Sequence, residues 1–303
     1  MTTSDRLDRL DELVTEARSA RRDYERSSTL ELVELMNAED ATVPRAVGAI
    51  ASELAAAIDA VAERLGSGGR LVYAGAGSSG RIAALDAEEC EATFSMRQVV
   101  ALVAGAELSS AEEREAAEDD ADAGRRAVEE LGVSAHDAVV GVSASGRTPY
   151  VLGALEAAAD AGALTVALVA VPDSELAHIA DHELAAVVGP EIVAGSTRLK
   201  AGTAQKLVLN TMSTVSMIRV GKTYGDLMVD VRGSNEKLAA RARRILRQAA
   251  GVSEEEAGEA LAAADGSAKV ALVVLLAGVD PDTARARLER SSGHIRGALE
   301  QEP

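Results

Sequence analysis

Five short apolar runs, each separated from the next by a longer polar or alanine-rich stretch, constrain this chain more than any other feature. They are RLVYAGA (70–76), QVVALVAG (98–105), DAVVGVSAS (137–145), LTVALVAV (164–171) and HELAAVVG (182–189). The runs are short, bounded and rich in β-branched residues, which predicts strands, and the stretches between them are long enough for helices. They are apolar throughout and do not alternate, as strands covered on both faces are. The expected fold is therefore α/β: a doubly wound, parallel, five-stranded sheet with helices on either side. A chain of 303 residues that is 47% hydrophobic can bury such a core.

Helical stretches flank this alternation. Residues 1 to about 66 read as helical throughout, with a capping box at Ser28 or Thr29 opening STLELVELMNAEDATV and a glycine stop closing AVGAIASELAAAIDAVAERLGSGG. Beyond GSNEKL (233–238) the chain is arginine-rich and helical. Its tail reads as a small bundle of three short helices, broken at DGS and GVDP. The expected division is an N-terminal helical segment over 1–50, the sheet domain over 51–245 and the three-helix bundle over 246–303.

Composition narrows the possible ligands. With 49 acidic against 31 basic residues, the formal charge of −18 opposes nucleic acid and anionic membrane surfaces. An anionic ligand must then be captured by local groups. Aromatic residues make up 2% of the chain, so recognition is expected to be polar. The single cysteine, Cys90, cannot form an intrachain disulfide, and no apolar run approaches the roughly 18 residues of a membrane span. These features predict a soluble, cytoplasmic protein.

In a doubly wound sheet the ligand lies outside the carboxyl ends of the strands. The first strand ends at GAGSSGR (75–81) and the third at SASGRT (143–148), so two glycine-serine loops are expected on one edge. Glycine permits a tight turn and close backbone approach, while Ser78 and Ser79 place hydroxyls beside the unpaired amides of a helix start, a setting that favours an anion. Ser143, Ser145, Gly146 and Thr148 repeat the arrangement, and Pro149 suits the first turn of the next helix. No acid ends the second strand, which departs from a dinucleotide fingerprint.

GPEIVAGSTRLKAGTAQK (189–206) follows the fifth strand. Glu191, Ser196, Arg198, Lys200 and Lys206 give it donors and charge; Lys206 can pair with a phosphate or a carboxylate. The alternative is a plain helix start capped by Ser196 or Thr197. His178 and His182 lack a third ligand at useful spacing, so no metal is expected. Cys90 reads as a packed residue.

The SASGRT loop resembles the phosphosugar-binding loop of sugar isomerase (SIS) domains. GAGSSGR, LDAEECEATF, EAAEDD, SASGRTPYVLGALE, GPEIVAGSTRLKAGTAQKLVLNTMST and GDLMVDVRGSNEKL are similar in order and spacing to N-acetylmuramic acid 6-phosphate etherases, over nearly the whole chain. The resemblance implies a SIS domain in the middle segment, a UBA-like tail and an amino-sugar 6-phosphate as ligand. It also implies a lyase that releases D-lactate by elimination and hydration, in peptidoglycan recycling, without a metal or other cofactor.

It assigns Glu89 as the acid that protonates departing lactate and matches Glu118 to a second essential acid, here read as the base at C2. Glu88, Glu91 and Glu115 are close neighbours in sequence. The phosphate and substrate set is Ser78, Ser79, Ser143, Ser145, Gly146, Thr148, Glu191, Ser196 and Lys206. The chain departs from the family pattern at Glu91-Ala92, where two prolines are usual, at Ser143, usually alanine, and at REAAED, usually VEGAED. Alternative readings are a non-catalytic regulator resembling the glucokinase regulatory protein and an aldose-ketose isomerase. The N-terminal helices and an alanine-rich apolar surface suggest a homodimer.

Overall fold

The computed structural model describes residues 14–19, 24–230 and 236–301. The chain forms two compact units that do not follow sequence order: residues 1–87 with 98–212, and residues 88–97 with 213–303.

The first unit holds the sheet. Its strands are β1 (Leu71–Gly75), β2 (Val99–Val103), β3 (Ala138–Val142), β4 (Leu164–Val169) and β5 (His182–Ala185), in the order β2-β1-β3-β4-β5. Every pairing is parallel, as the apolar runs predict. The three central strands are buried at every position, which is why their sequences carry no polar alternation. The edge strands β2 and β5 are only partly buried.

The helices of this part of the chain are α1 (Thr29–Asp40), α2 (Val43–Gly48), α3 (Ala51–Gly66), α4 (Gly77–Phe94), α5 (Ala111–Ala116), α6 (Ala121–Leu131), α7 (Pro149–Asp160) and α8 (Lys200–Arg219). The capping box forms at Ser28: its hydroxyl accepts from the Glu31 amide at 3.3 Å, and the Glu31 carboxylate accepts from the Ser28 amide at 2.7 Å. Helix does not extend through the described residues before it. Residues 14–17 form a turn, and Tyr24–Arg26 is a single 3-10 turn. Thr15 is buried and its carbonyl accepts from the Gly195 amide at 3.1 Å, so this backbone serves a tertiary partner instead of a helical ladder. Residues 1–13, part of the same helical expectation, lie outside the described residues.

Two contacts fix the sheet and its cover. At the start of β1, the Arg70 side chain and amide donate to Asp137, just before β3, at 2.8 to 3.1 Å; the Ser134 amide adds a bond at 2.9 Å. Burial pushes the Asp137 carboxyl upward, but the bonds from Arg70 and the two backbone amides outweigh it and hold the group at about 2. The helices α6 and α7 touch backbone to backbone. A Cβ at Gly124 would lie 1.9 Å from the Tyr150 carbonyl oxygen, and one at Gly153 would lie 2.0 Å from that of Ala121.

The second unit includes a two-residue hairpin not read from the sequence, β6 (Thr223–Tyr224) and β7 (Leu227–Met228), turned at Gly225 with φ +60°. Helices α9 (Glu236–Ala250), α10 (Glu254–Ala263), α11 (Ala268–Ala277), α12 (Pro281–Arg290) and α13 (Ile295–Leu299) follow. The breaks around DGS and GVDP fall where expected, with Ser267 and Asp280 capping the next helices; α13 is an additional short element. Leu246, Leu261, Leu272, Leu288 and Ile295 pack into one core.

Adding one methyl group separates these environments. Gly153→Ala forces α6 and α7 apart and is expected to lose about 1–3 kcal/mol. Gly258→Ala, inside α10 with its nearest neighbour 3.7 Å away, is expected to gain about 0.4–1 kcal/mol. Thermal unfolding followed by circular dichroism checks both signs.

Candidate functional site

Gly75, the last residue of β1, stands opposite Val142, the last of β3. The loops that follow therefore leave adjacent strands at the same level. After β1 the chain reverses at once into α4: a Cβ on Gly75 would lie 2.8 Å from the Gly80 Cα, and Gly77 adopts φ +51°. That turn brings Ser78 and Ser79 and the opening amides of α4 to the sheet edge. After β3, the nearly buried Ser143 hydroxyl lies 2.9 Å from the Thr148 hydroxyl and 3.4 Å from that of Ser145, and accepts from the Gly146 amide at 3.1 Å. Gly146 has φ +67°, and a Cβ there would sit 2.2 Å from the Ser174 hydroxyl. Thr148 occupies the cap position of α7 without making a cap bond.

These loops form one wall of a cleft of about 950 Å³. Ser78, Ser79, Ser143, Ser145 and Thr148 all line it, with Ser196 arriving from the third loop. Gly146 shapes the second loop from behind. Of the predicted acids, Glu118 is in the cleft and Glu115 lies beside it. Sequence reasoning left Glu16, Arg81 and Arg114 out of the site, although Arg81 stands in the first loop motif and donates to the Ser78 hydroxyl at 3.0 Å. Arg198, read from sequence among the donors of the third loop, also lines the cleft.

Glu118 belongs to a 3-10 turn, Ala117–Asp119, between α5 and α6. Its Oε1 would be 2.6 Å from a Cβ on Gly77, so the carboxylate occupies space that only glycine leaves open. Burial raises the Glu118 pKa; Asp119 and Glu115 add repulsion in the same direction, and Arg81 works against them. The result is a stronger base than an ordinary carboxylate, facing a ligand cradle.

Other predicted residues lie elsewhere. Glu191 is buried, and its two oxygens accept from the Lys200 and Ala201 amides at 3.1 and 3.0 Å. It caps α8, the role the sequence offered to Ser196 or Thr197. Lys200 turns to Glu39 on α1 in a pair 2.5 Å long. Lys206 is exposed and donates to Asn210, whose amide nitrogen donates to buried Asp86 at 2.5 Å; Tyr73 donates to the other Asp86 oxygen at 2.8 Å. Glu89 is exposed on α4 and counts with the second unit, as do Glu88 and Glu91. Helix α4 runs unbroken through Glu91-Ala92, where the family pattern has prolines, and Glu91 pairs with Arg97 at 2.7 Å. Buried Cys90 packs as expected. His178 pairs with Asp173 at 2.9 Å on the surface, and His182 begins β5. Among the described residues no three His, Cys, Asp or Glu side chains are grouped to hold a metal, and no helix is long and apolar enough to cross a membrane.

A parallel five-stranded sheet with two hydroxyl-rich loops at its carboxyl edge is the architecture expected of a sugar isomerase domain, and the family matches agree. The SIS domain family matches residues 128–215, and the glucokinase regulatory protein N-terminal SIS domain matches residues 53–159. A solved structure from Bacteroides fragilis, described as a phosphosugar isomerase involved in capsule formation, shares this fold with a TM-score of 0.50 and 20% identity, over 63% of this chain and 91% of its own. The N-acetylmuramic acid 6-phosphate etherase of Rubrobacter xylanophilus is 57% identical over 96% of this chain and 97% of its own length. That of Streptomyces avermitilis is 55% identical over 97% and 96%. The chain belongs to the N-acetylmuramic acid 6-phosphate etherase family.

The charges around Glu118 make its titration predictable. Glu115→Gln removes a repelling neighbour and lowers the Glu118 pKa, whereas Arg81→Gln removes the opposing cation and raises it. Carboxyl carbon shifts in an NMR pH titration check both directions.

Proposed function

We propose that this protein is a carbon–oxygen lyase that cleaves the 3-O-lactyl ether of N-acetylmuramic acid 6-phosphate, giving N-acetylglucosamine 6-phosphate and D-lactate. The observation that carries this reading is a wall on which a hydroxyl cradle and a carboxylate of raised pKa stand together, in a chain that matches etherases end to end. The hydroxyls of Ser78, Ser79, Ser143, Ser145 and Thr148 and the opening amides of α4 hold the phosphate at C6. Gly146 lets the second loop approach it, and Ser196 adds a donor from the third. Glu191 holds that third loop in place through its cap, whereas Lys206, which is not in the cleft lining, ends the Asn210–Asp86–Tyr73 chain.

With the phosphate fixed, the far carbons of the sugar are presented for proton transfer. Glu118 removes the proton at C2. The electron pair forms the C2–C3 double bond, the C3–O bond breaks, and the acid assigned to Glu89 protonates the departing lactate oxygen. Water then adds its hydroxyl to C3 while a proton returns to C2. The route needs two proton-transferring groups and draws on no metal or organic cofactor. Set in peptidoglycan recycling, the reaction belongs in the cytoplasm. Leu30 and Val33, exposed three residues apart on α1, favour a homodimer, which light scattering at micromolar concentration tests.

A sugar-phosphate-binding regulator is the second reading, favoured by the glucokinase regulatory protein match. That match spans residues 53–159, whereas the etherases match over 96% of the chain or more, so the lyase stands first.

Purified protein incubated with N-acetylmuramic acid 6-phosphate is expected to release lactate and N-acetylglucosamine 6-phosphate in equal amounts. In heavy water the product should carry one deuterium at C2. Glu118→Gln and Glu89→Gln should each lower kcat by about 100-fold or more. The base must be ionised, so kcat/KM should fall as pH drops through a value above the ordinary glutamate pKa of about 4.3. Absence of lactate at every pH from about 5 to about 9 would overturn the proposal.

A further inference from the structure

The proposed substrate carries two anions, the phosphate at C6 and the lactyl carboxylate attached through C3. The hydroxyl loops account for the first. We propose that Arg198 is the specificity residue that receives the second, an inference that rests on reading this cleft as an etherase site.

Among the described residues three guanidinium groups line the cleft, and two are already engaged. Arg114 Nη1 donates to the carbonyl oxygens of Leu108 and Ser109 at 2.7 and 2.9 Å, bracing the loop ahead of α5. Arg81 donates to Ser78 within the phosphate cradle, and its charge bears on Glu118. Arg198 is exposed to the cleft and has no hydrogen-bond or ion-pair partner among the described residues. Its backbone, by contrast, is held. Glu191 ties the base of the loop to the start of α8, the Gly195 amide donates to the Thr15 carbonyl at 3.1 Å, and the Ser196 amide donates to that of Val193 at 3.0 Å. A fixed backbone carrying an uncommitted planar cation is suited to two-pronged capture of a carboxylate.

Its place in the sheet agrees. The cradle stands on β1 and β3, whereas the Arg198 loop follows β5, two strands beyond β3. The two anions of the substrate are likewise separated by the sugar ring. Among the described residues the cleft has three carboxylates, Glu16, Glu115 and Glu118, against three arginines. With no surplus of positive charge among these groups, a second anion needs a cation of its own.

The test compares two ligands that differ only in the lactyl group. Calorimetric affinities for N-acetylmuramic acid 6-phosphate and N-acetylglucosamine 6-phosphate would be measured on Glu118→Gln protein, which suppresses turnover, with and without Arg198→Gln or Arg198→Lys. Arg198→Gln is expected to weaken the lactyl ligand about 10- to 100-fold and N-acetylglucosamine 6-phosphate less than about threefold. Arg198→Lys should recover part of the loss, and D-lactate should become a weaker product inhibitor of the Arg198→Gln enzyme with Glu118 intact. Equal loss for both ligands would move Arg198 to the phosphate, and no loss for either would remove it from recognition; both outcomes overturn the inference. Failure of the unsubstituted protein to release lactate counts against the lyase itself, while the binding comparison still decides the role of Arg198.

Discussion

The in-register pairing of β1 with β3 is the constraint on which the site rests. Sheet order places these two strands side by side although β2 lies between them in sequence, and Gly75 meets Val142 at the common end. Because side chains alternate with a period of two, a slip by one residue would turn each side chain toward the opposite helix layer and move one loop about 3.3 Å past the other. The Arg70–Asp137 bonds clamp the opposite ends of the same two strands. The serine hydroxyls after Gly75 and Val142 converge because both ends of the pair are set.

That convergence reconciles two features that seem opposed in sequence, a phosphate cradle and a concentration of acids. Glu118 does not stand among the cradle donors by accident of composition: its carboxylate fills the space left by the missing side chain of Gly77, at the first residue of the helix that carries Ser78 and Ser79. Burial and two neighbouring carboxylates raise its pKa, while Arg81 restrains the rise and simultaneously holds Ser78. Anchoring and proton transfer therefore share parts of one wall. The chain's overall negative charge matters little at this range, since fixed hydroxyls and amides a few ångströms away outweigh a screened and distant field.

Much of this was legible in the sequence. Five apolar runs gave the strands because parallel strands buried on both faces leave a direct compositional trace, and the two serine-glycine loops gave the site because each follows such a strand. The resemblance carried the activity. Other parts depend on partners far along the chain, where local pattern says little. Glu191 read as a ligand because a conspicuous carboxylate in a polar loop looks the same whether it faces solvent or caps a helix nine residues later. Nothing in the local pattern separates Arg81 and Arg114, which line the cleft, from surface cations. Thr15 lies in a segment of helical composition, yet its carbonyl serves Gly195, a contact across 180 residues. The hairpin at Gly225-Asp226 had a usable turn signal, but strands two residues long leave no periodicity to read.

The cap made by Glu191 has a thermodynamic corollary. By joining its carboxylate to the first amides of α8, it closes residues 192–199 at their base, while the Gly195 amide ties the middle of the span to Thr15. A loop pinned at two places gives up little further backbone freedom when a ligand meets Ser196 and Arg198, so most of the ordering cost of binding falls on folding instead.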